Sequence, residues 1–134
     1  MHEIAKGAAS ITGATLKVTK FESSFDNLTT NRPLSEAWAA NMRAIGLDVP
    51  PEPVDLKGST DMGNVSMKVP SIHPFLGLGE PSITLHTKEF AERTITDIAH
   101  KRIIQGAKSL AYTGLDLLTD HKLAQKVKDA FKAK

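Results

Sequence analysis

Few residues of this chain can bind a metal ion or activate water, and the histidines are the first candidates. The 134 residues include five histidines and no cysteine, so a metal site here must use His, Asp or Glu ligands. His86 follows a short alternating stretch, 82–85, that predicts a strand. Ligands of open α/β sheets usually bind beyond strand ends, which makes His86 a candidate zinc ligand. A hydrogen-bonded structural histidine is the alternative.

The second candidate is the glycine-rich stretch 58–64, with the sequence GSTDMGN. Glycines let a backbone approach a ligand closely, and successive N–H groups with the hydroxyls of Ser59 and Thr60 can hold a carboxylate. The alternative is a turn in which Asp61 and Asn64 bond their own backbone. The stretch is not a phosphate loop, because no Gly-Lys-Ser/Thr sequence follows.

His73 lies in a loop that Pro70 and Pro74 make rigid, where it either contacts substrate or only fills the loop. Together, His73, His86 and Asp61 offer three ligands, the number that a water-activating zinc site typically has. Their spacing does not show that they converge. His100 and His121 lie in helical stretches with no second histidine one turn away and are assigned to surface or core positions, and His2 lies at a fraying terminus.

The N-terminal third of the chain predicts a helix, a strand and a second helix. Residues 3–12 form a short helix that Gly13 ends, and the alternation of 14–21 is typical of a half-buried strand. Asn31 caps the next helix, whose apolar face includes Trp38 and which ends at Gly46. A lone strand leaves both edges unpaired, so 14–21 belongs to a larger sheet.

The remainder predicts two short strands, 65–69 and 82–85, and two amphipathic helices. The longer helix should cover a sheet, with Gly106 and Gly114 allowing close approach. Its apolar face is expected to consist of Ile95, Ile98, Ile103, Ala107, Leu110, Leu115 and Leu118. The final helix starts near Asp120, with lysines opposite its apolar residues. The expected fold class is therefore α/β.

The composition argues against two kinds of partner, nucleic acids and membranes. The net charge of +2 and the low aromatic content argue against nucleic-acid binding. No apolar run approaches the roughly 20 residues of a membrane span. We therefore expect a cytoplasmic protein without nucleic-acid or membrane partners.

Three stretches in order, GSTDMGNVSMKVPSIHPFLGLG, LHTKEFAERT and QGAKSLAYTGLDLL, give the chain a family resemblance. It resembles the zinc-dependent amidohydrolases of metallopeptidase family 20, above all the aminobenzoyl-glutamate hydrolases and cytosolic dipeptidases. The resemblance implies the C-terminal part of a two-domain α/β zinc peptidase. Residues 1–27 would end the lid or dimerisation domain, and 28–134 would belong to the catalytic domain.

The resemblance also implies roles for individual residues. His86 would be one ligand of a two-zinc site. The loop that contains Gly58, Ser59, Thr60 and Asp61 would line the substrate pocket, and His73 is kept as a further substrate contact. The reaction would be hydrolysis of an amide bond next to a free carboxylate, in an N-acyl amino acid, dipeptide or aminobenzoyl-glutamate type of substrate.

The chain lacks the family's His-x-Asp ligand motif and its consecutive Glu-Glu pair, which supplies the general base. We therefore expect a chain that is inactive alone, has no catalytic residue of its own and needs a missing N-terminal catalytic half as partner. The resemblance implies two zinc ions in the intact enzyme, and we expect this chain alone to bind none. A homo-oligomer is a further expectation. The alternative is a non-catalytic small-molecule binding or assembly module.

Overall fold

The computed structural model describes residues 1–50, 60–79 and 83–133 of the chain. These residues form six helices: α1 (His2–Thr12), α2 (Arg32–Ala44), α3 (Met62–Ser66), α4 (Lys88–Arg93), α5 (Asp97–Thr119) and α6 (His121–Lys132). Helices α2, α5 and α6 pack against one another and contain the core. No helix in the described ranges is both long and apolar enough to cross a membrane.

Helix α2 begins and ends where the sequence predicts. The Asn31 side chain accepts a hydrogen bond from the Leu34 N–H, and the fixed φ of Pro33 suits the first turn. Gly46 adopts a positive φ of 82° just after the helix, a conformation that glycine tolerates. Because Leu34, Trp38 and Met42 are spaced four residues apart, they lie on one face and are buried together.

Helix α5 meets α2 through small and polar residues. The Ser109 hydroxyl donates to the Trp38 carbonyl over 3.3 Å. The Asn41 amide donates to the Asp116 carboxylate over 2.7 Å and to the Thr113 hydroxyl over 3.2 Å. Small side chains allow the two backbones to come close enough for these bonds. The buried residues of α5 are Ala99, Gly106, Ser109 and Thr113.

Helix α6 follows α5 after a single residue. The Asp120 carboxylate accepts hydrogen bonds from the Lys122 and Leu123 N–H groups, at 2.9 and 3.1 Å, and so caps the new helix. Val127 is buried against the core. The lysines expected on the opposite face lie outside the buried core: Lys122, Lys126, Lys128 and Lys132. The predicted amphipathic helix is therefore confirmed.

The predicted α/β fold is wrong, because the described residues are helical or irregular and contain no strand. Most of the predicted strand 65–69 is helical or turn. The Met67 N–H donates to the Gly63 carbonyl and the Val69 N–H to the Val65 carbonyl. A strand needs a neighbour for its backbone groups, and local turns satisfy these groups when no neighbour is present. Residues 14–21 are irregular and exposed, and part of the stretch 82–85 lies outside the described residues.

Helix α1 is the predicted first helix, and Gly13 ends it with a φ of 69°. None of its residues is buried. The segment that follows is held to α3, since the Asp26 N–H donates to the Asn64 side chain and the Thr29 N–H to the Ser66 hydroxyl. The expected division into 1–27 and 28–134 stays a prediction.

Candidate functional site

The glycine-rich stretch leads into α3. Gly58 and Ser59 lie outside the described residues, whereas Thr60 and Asp61 form the turn before the helix. The Thr60 hydroxyl donates to the Asp61 carboxylate over 3.3 Å and accepts from the Met62 N–H at 3.3 Å. Thr60 is half-buried and Asp61 is exposed. The Thr60 hydroxyl can therefore donate to a substrate carboxylate only by giving up its bond to the Asp61 carboxylate.

Two side chains of α3 fix this turn in place. The Asn64 amide donates to the Ser24 carbonyl over 3.2 Å, and its oxygen accepts from the Asp26 N–H at 2.9 Å. The buried Ser66 hydroxyl accepts from the Thr29 N–H at 3.0 Å. These bonds go to a segment about 40 residues away, so the sequence alternative in which Asn64 bonds its own backbone is wrong for its side chain.

Gly63 allows the segment 24–29 to lie this close to α3. A Cβ added at Gly63 would collide with the Asp26 carbonyl. The backbone approach that the glycine-rich pattern predicted is therefore made, but towards another part of the chain. Binding of a substrate carboxylate by this turn stays a prediction.

His73 is exposed in the loop after α3. Its imidazole lies against the Phe75 ring, with centroids 5.3 Å apart and planes tilted by 32°. This contact is typical of offset aromatic packing and restrains the imidazole on the surface. The expected substrate contact stays a prediction.

His86 occupies a turn just before α4. Its φ of 63° is the only positive value for a residue other than glycine in the described ranges. Histidine enters this left-handed region more readily than most residues, although at a cost. The Thr87 hydroxyl donates to the Thr84 carbonyl over 2.8 Å and accepts from the Phe90 N–H at 3.2 Å, which holds the turn. The imidazole is left exposed to solvent.

The structure does not bring the candidate ligands together. Across residues 1–50, 60–79 and 83–133, no group of three or more His, Asp or Glu side chains is placed to hold a metal ion. The three-ligand site of Asp61, His73 and His86 is therefore not formed. The described residues do not form a complete zinc site, and His86 could supply only one of its ligands.

A cleft between the loop 76–79 and helices α4 and α5 was not predicted. It encloses about 200 Å³. The Arg93 side chain donates to the Leu78 carbonyl over 3.3 Å, and Arg102 donates to the Gly77 carbonyl over 3.1 Å. The lining residues are Leu76, Leu78, Phe90, Thr94, Ala99, Arg102 and Ile103. The sequence carries no signal for these long-range bonds, since arginines at such spacing are common on helix surfaces.

No family model matches the chain. Individual proteins do. It is 33% identical to the Xaa-Arg dipeptidase of Mus musculus and 32% identical to that of Homo sapiens, over 132 residues in each case. Each match covers 96% of this chain and 30% of the relative. A p-aminobenzoyl-glutamate hydrolase subunit of Escherichia coli (strain K12) is 38% identical over 73 residues, which are 52% of this chain and 15% of the relative.

These matches confirm the resemblance that the sequence motifs indicated. The relatives are two dipeptidases and a subunit of an aminobenzoyl-glutamate hydrolase, the two kinds of enzyme expected. The chain spans about 30% of the length of the dipeptidases.

Proposed function

We propose that this chain, a homologue of part of the amidohydrolases and dipeptidases of metallopeptidase family 20, contributes to hydrolysis of an amide bond next to a free carboxylate. The substrate class is an N-acyl amino acid, a dipeptide or an aminobenzoyl-glutamate type of molecule. The chain is inactive alone and acts with a polypeptide that supplies the general base and the remaining metal ligands. Zinc dependence and a cytoplasmic location belong to the same proposal.

The match to the Xaa-Arg dipeptidases over 96% of the chain carries this proposal. A similarity that extends over nearly every residue favours a shared role for the whole segment. The sequence lacks a His-x-Asp motif and a Glu-Glu pair, and the described residues do not assemble a metal site. Both observations favour a contributing segment over a self-sufficient hydrolase.

His86 is proposed to give one imidazole to the metal site of the assembled enzyme. Its ring is exposed, and the hydrogen bonds of Thr87 hold the turn that carries it. A ligand that the backbone already orients loses little conformational entropy on binding. Bound zinc would polarise the scissile carbonyl and activate water.

Thr60 is proposed to orient the carboxylate end of the substrate, together with Gly58 and Ser59 of the same stretch. The half-buried Thr60 hydroxyl needs only a rotation about its side chain to leave Asp61 and face a ligand. The exposed Asp61 carboxylate beside it repels a second carboxylate, so it is a poor partner for that end of the substrate. Asp61 and His73 fit contacts to a cationic or polar part of the substrate better.

The test compares the chain alone with the chain co-expressed with the part of the mouse Xaa-Arg dipeptidase outside the matched region. Zinc content and amine release are measured on Xaa-Arg dipeptides, N-acyl amino acids and aminobenzoyl-glutamate. We expect no turnover by the chain alone. The co-expressed pair should turn over and lose at least about a hundredfold in rate, with part of its zinc, on His86→Asn.

The matched control is His121→Asn, which changes another exposed histidine at the start of α6. It should leave zinc content and turnover unchanged. Chelator-sensitive turnover by the chain alone would contradict the need for a partner. Binding of an amino acid without zinc or turnover, in both samples, would favour the non-catalytic binding module instead.

A further inference from the structure

Helix α5 carries a second apolar face that the described residues leave uncovered. We call it the outer face of α5 and define it by Ile103, Ile104, Leu110, Leu115 and Leu118. At 100° per residue these side chains lie within an arc of roughly 140°. Each is between 54% and 78% exposed. The small residues between them on this arc are exposed as well: Ala107, Ala111 and Gly114.

The composition of the outer face separates it from an ordinary solvated helix surface. No Asp, Glu, Lys or Arg falls within the arc between Ile103 and Leu118, while Lys108 lies just outside it. Helix α5 also packs against α2 and α6, and its Ser109 and Thr113, which bond to α2, lie on the side of α5 opposite the outer face. A continuous apolar surface of five large side chains is rarely left in contact with solvent, and such surfaces are usually covered by another molecule or domain.

We infer that the outer face of α5 is the docking surface for the polypeptide that completes the hydrolase, an inference that rests on the proposed function. The similarity covers 96% of this chain, so α5 has a counterpart in the dipeptidases. Those enzymes contain a further 70% of their length outside the match, since the match covers 30% of each. In each of these relatives, the additional length of chain belongs to the same molecule as the counterpart of α5.

The partner surface is an apolar one that accepts a ridge of branched side chains. Ile103, Leu110 and Leu118 alternate along the helix with Ala107 and Gly114, which leave grooves between the larger side chains. Such a surface is recognised by shape and burial, with little dependence on salt. A charged partner, such as nucleic acid or an anionic membrane, has nothing to pair with on this arc.

The inference is tested with the tagged chain, co-expressed with the part of the mouse Xaa-Arg dipeptidase outside the matched region. The two should copurify at a ratio of one to one. Leu110→Lys and Leu115→Lys should each reduce the copurified partner at least about tenfold. Circular dichroism of each purified variant should be unchanged, because both residues are exposed in the chain itself.

The matched control is Tyr112→Lys, the same kind of change on α5 at a residue that is 48% exposed and lies outside the arc of the outer face. It should leave copurification unchanged. Absence of a complex, or a complex that Leu110→Lys and Leu115→Lys do not weaken, overturns the inference. It is also overturned by a dimer of this chain that both lysine variants dissociate, because a second copy would then be the occupant.

Copurification and catalysis fail separately. A complex that depends on the outer face but releases no amine supports the docking surface and contradicts the proposed function. Turnover by the pair that does not depend on Leu110 or Leu115 supports the function and contradicts the docking surface.

Discussion

The side chain of Asn31 joins the start of α2 to the middle of α6, because its amide donates to the Val127 carbonyl over 3.0 Å. Its oxygen accepts from the Leu34 N–H at 3.1 Å, and its backbone N–H donates to the Ser71 carbonyl over 2.9 Å. Asn31 is only 2% exposed. One buried asparagine thus holds two core helices and the loop after α3.

Asn31→Ala is expected to lower the free energy of unfolding by about 2 kcal/mol, since it removes a helix cap and a buried hydrogen bond. Asn31→Ser keeps a capping oxygen but cannot reach the Val127 carbonyl, and should cost about half as much. Urea unfolding followed by the fluorescence of Trp38, the only tryptophan, measures both. Equal losses for the two variants would contradict the link to α6.

Gly63→Ala is expected to separate α3 from the segment 24–29, because the added Cβ collides with the Asp26 carbonyl and the backbone must move. The shifts that accommodate an added group in a packed site typically lower the free energy of unfolding by about 1–3 kcal/mol. Hydrogen exchange of the Asp26 and Thr29 amides, which bond to α3, should become faster. Gly77→Ala is the control, since a Cβ there meets nothing within 4 Å, and it should leave exchange at these amides unchanged.

The two glycines of α5 should respond differently to alanine. Gly114→Ala enters open space and should raise the free energy of unfolding by about 1 kcal/mol through helix propensity. Gly106→Ala has the same propensity gain, but its Cβ would lie 2.6 Å from a methyl of Leu76, which must shift. We expect a smaller gain or a loss at Gly106. Equal stabilisation in chemical denaturation would show that Leu76 moves aside freely.

Two substitutions at His86 distinguish the effect of the backbone conformation from the loss of the imidazole. Its φ of 63° suits glycine, so His86→Gly should be about 1 kcal/mol more stable than His86→Ala. If the imidazole is a metal ligand, both variants should lose zinc equally in the assembled enzyme. Thermal unfolding and zinc analysis of the pair of variants check these two outcomes. If the less stable variant also binds less zinc, the loss of zinc is caused by the altered turn and not by removal of the imidazole.

Thr60→Ala is expected to raise KM about tenfold in the assembled enzyme, the usual size of one lost hydrogen bond to a charged group. Thr60→Ser retains the hydroxyl and serves as the control, with little change in KM. Steady-state kinetics on a dipeptide and on the same dipeptide with its carboxylate amidated locate the contact. An equal effect of Thr60→Ala on both substrates would contradict binding of the carboxylate by Thr60.

Local signals in the sequence determined ends of three of the helices, α1, α2 and α6. Asn31 before Pro33, Asp120 before the last helix and Gly13 after the first all act through hydrogen bonds or backbone angles within a few residues. Their effect does not depend on the rest of the fold. The family resemblance was likewise carried by residue order alone, and the relatives confirm it.

Tertiary structure decided which faces are buried and whether extended segments become strands. The apolar pattern of α5 predicted Ile103 and Leu110 as its covered face, yet Ser109 and Thr113 are the buried residues and bond to α2. Periodicity identifies a helix and its faces, but which face is covered depends on the partners available. For the same reason 65–69 forms local turns, since a strand requires a neighbour that residues alone do not specify. The convergence of Asp61, His73 and His86 also depended on chain paths between them, and the structure keeps them apart.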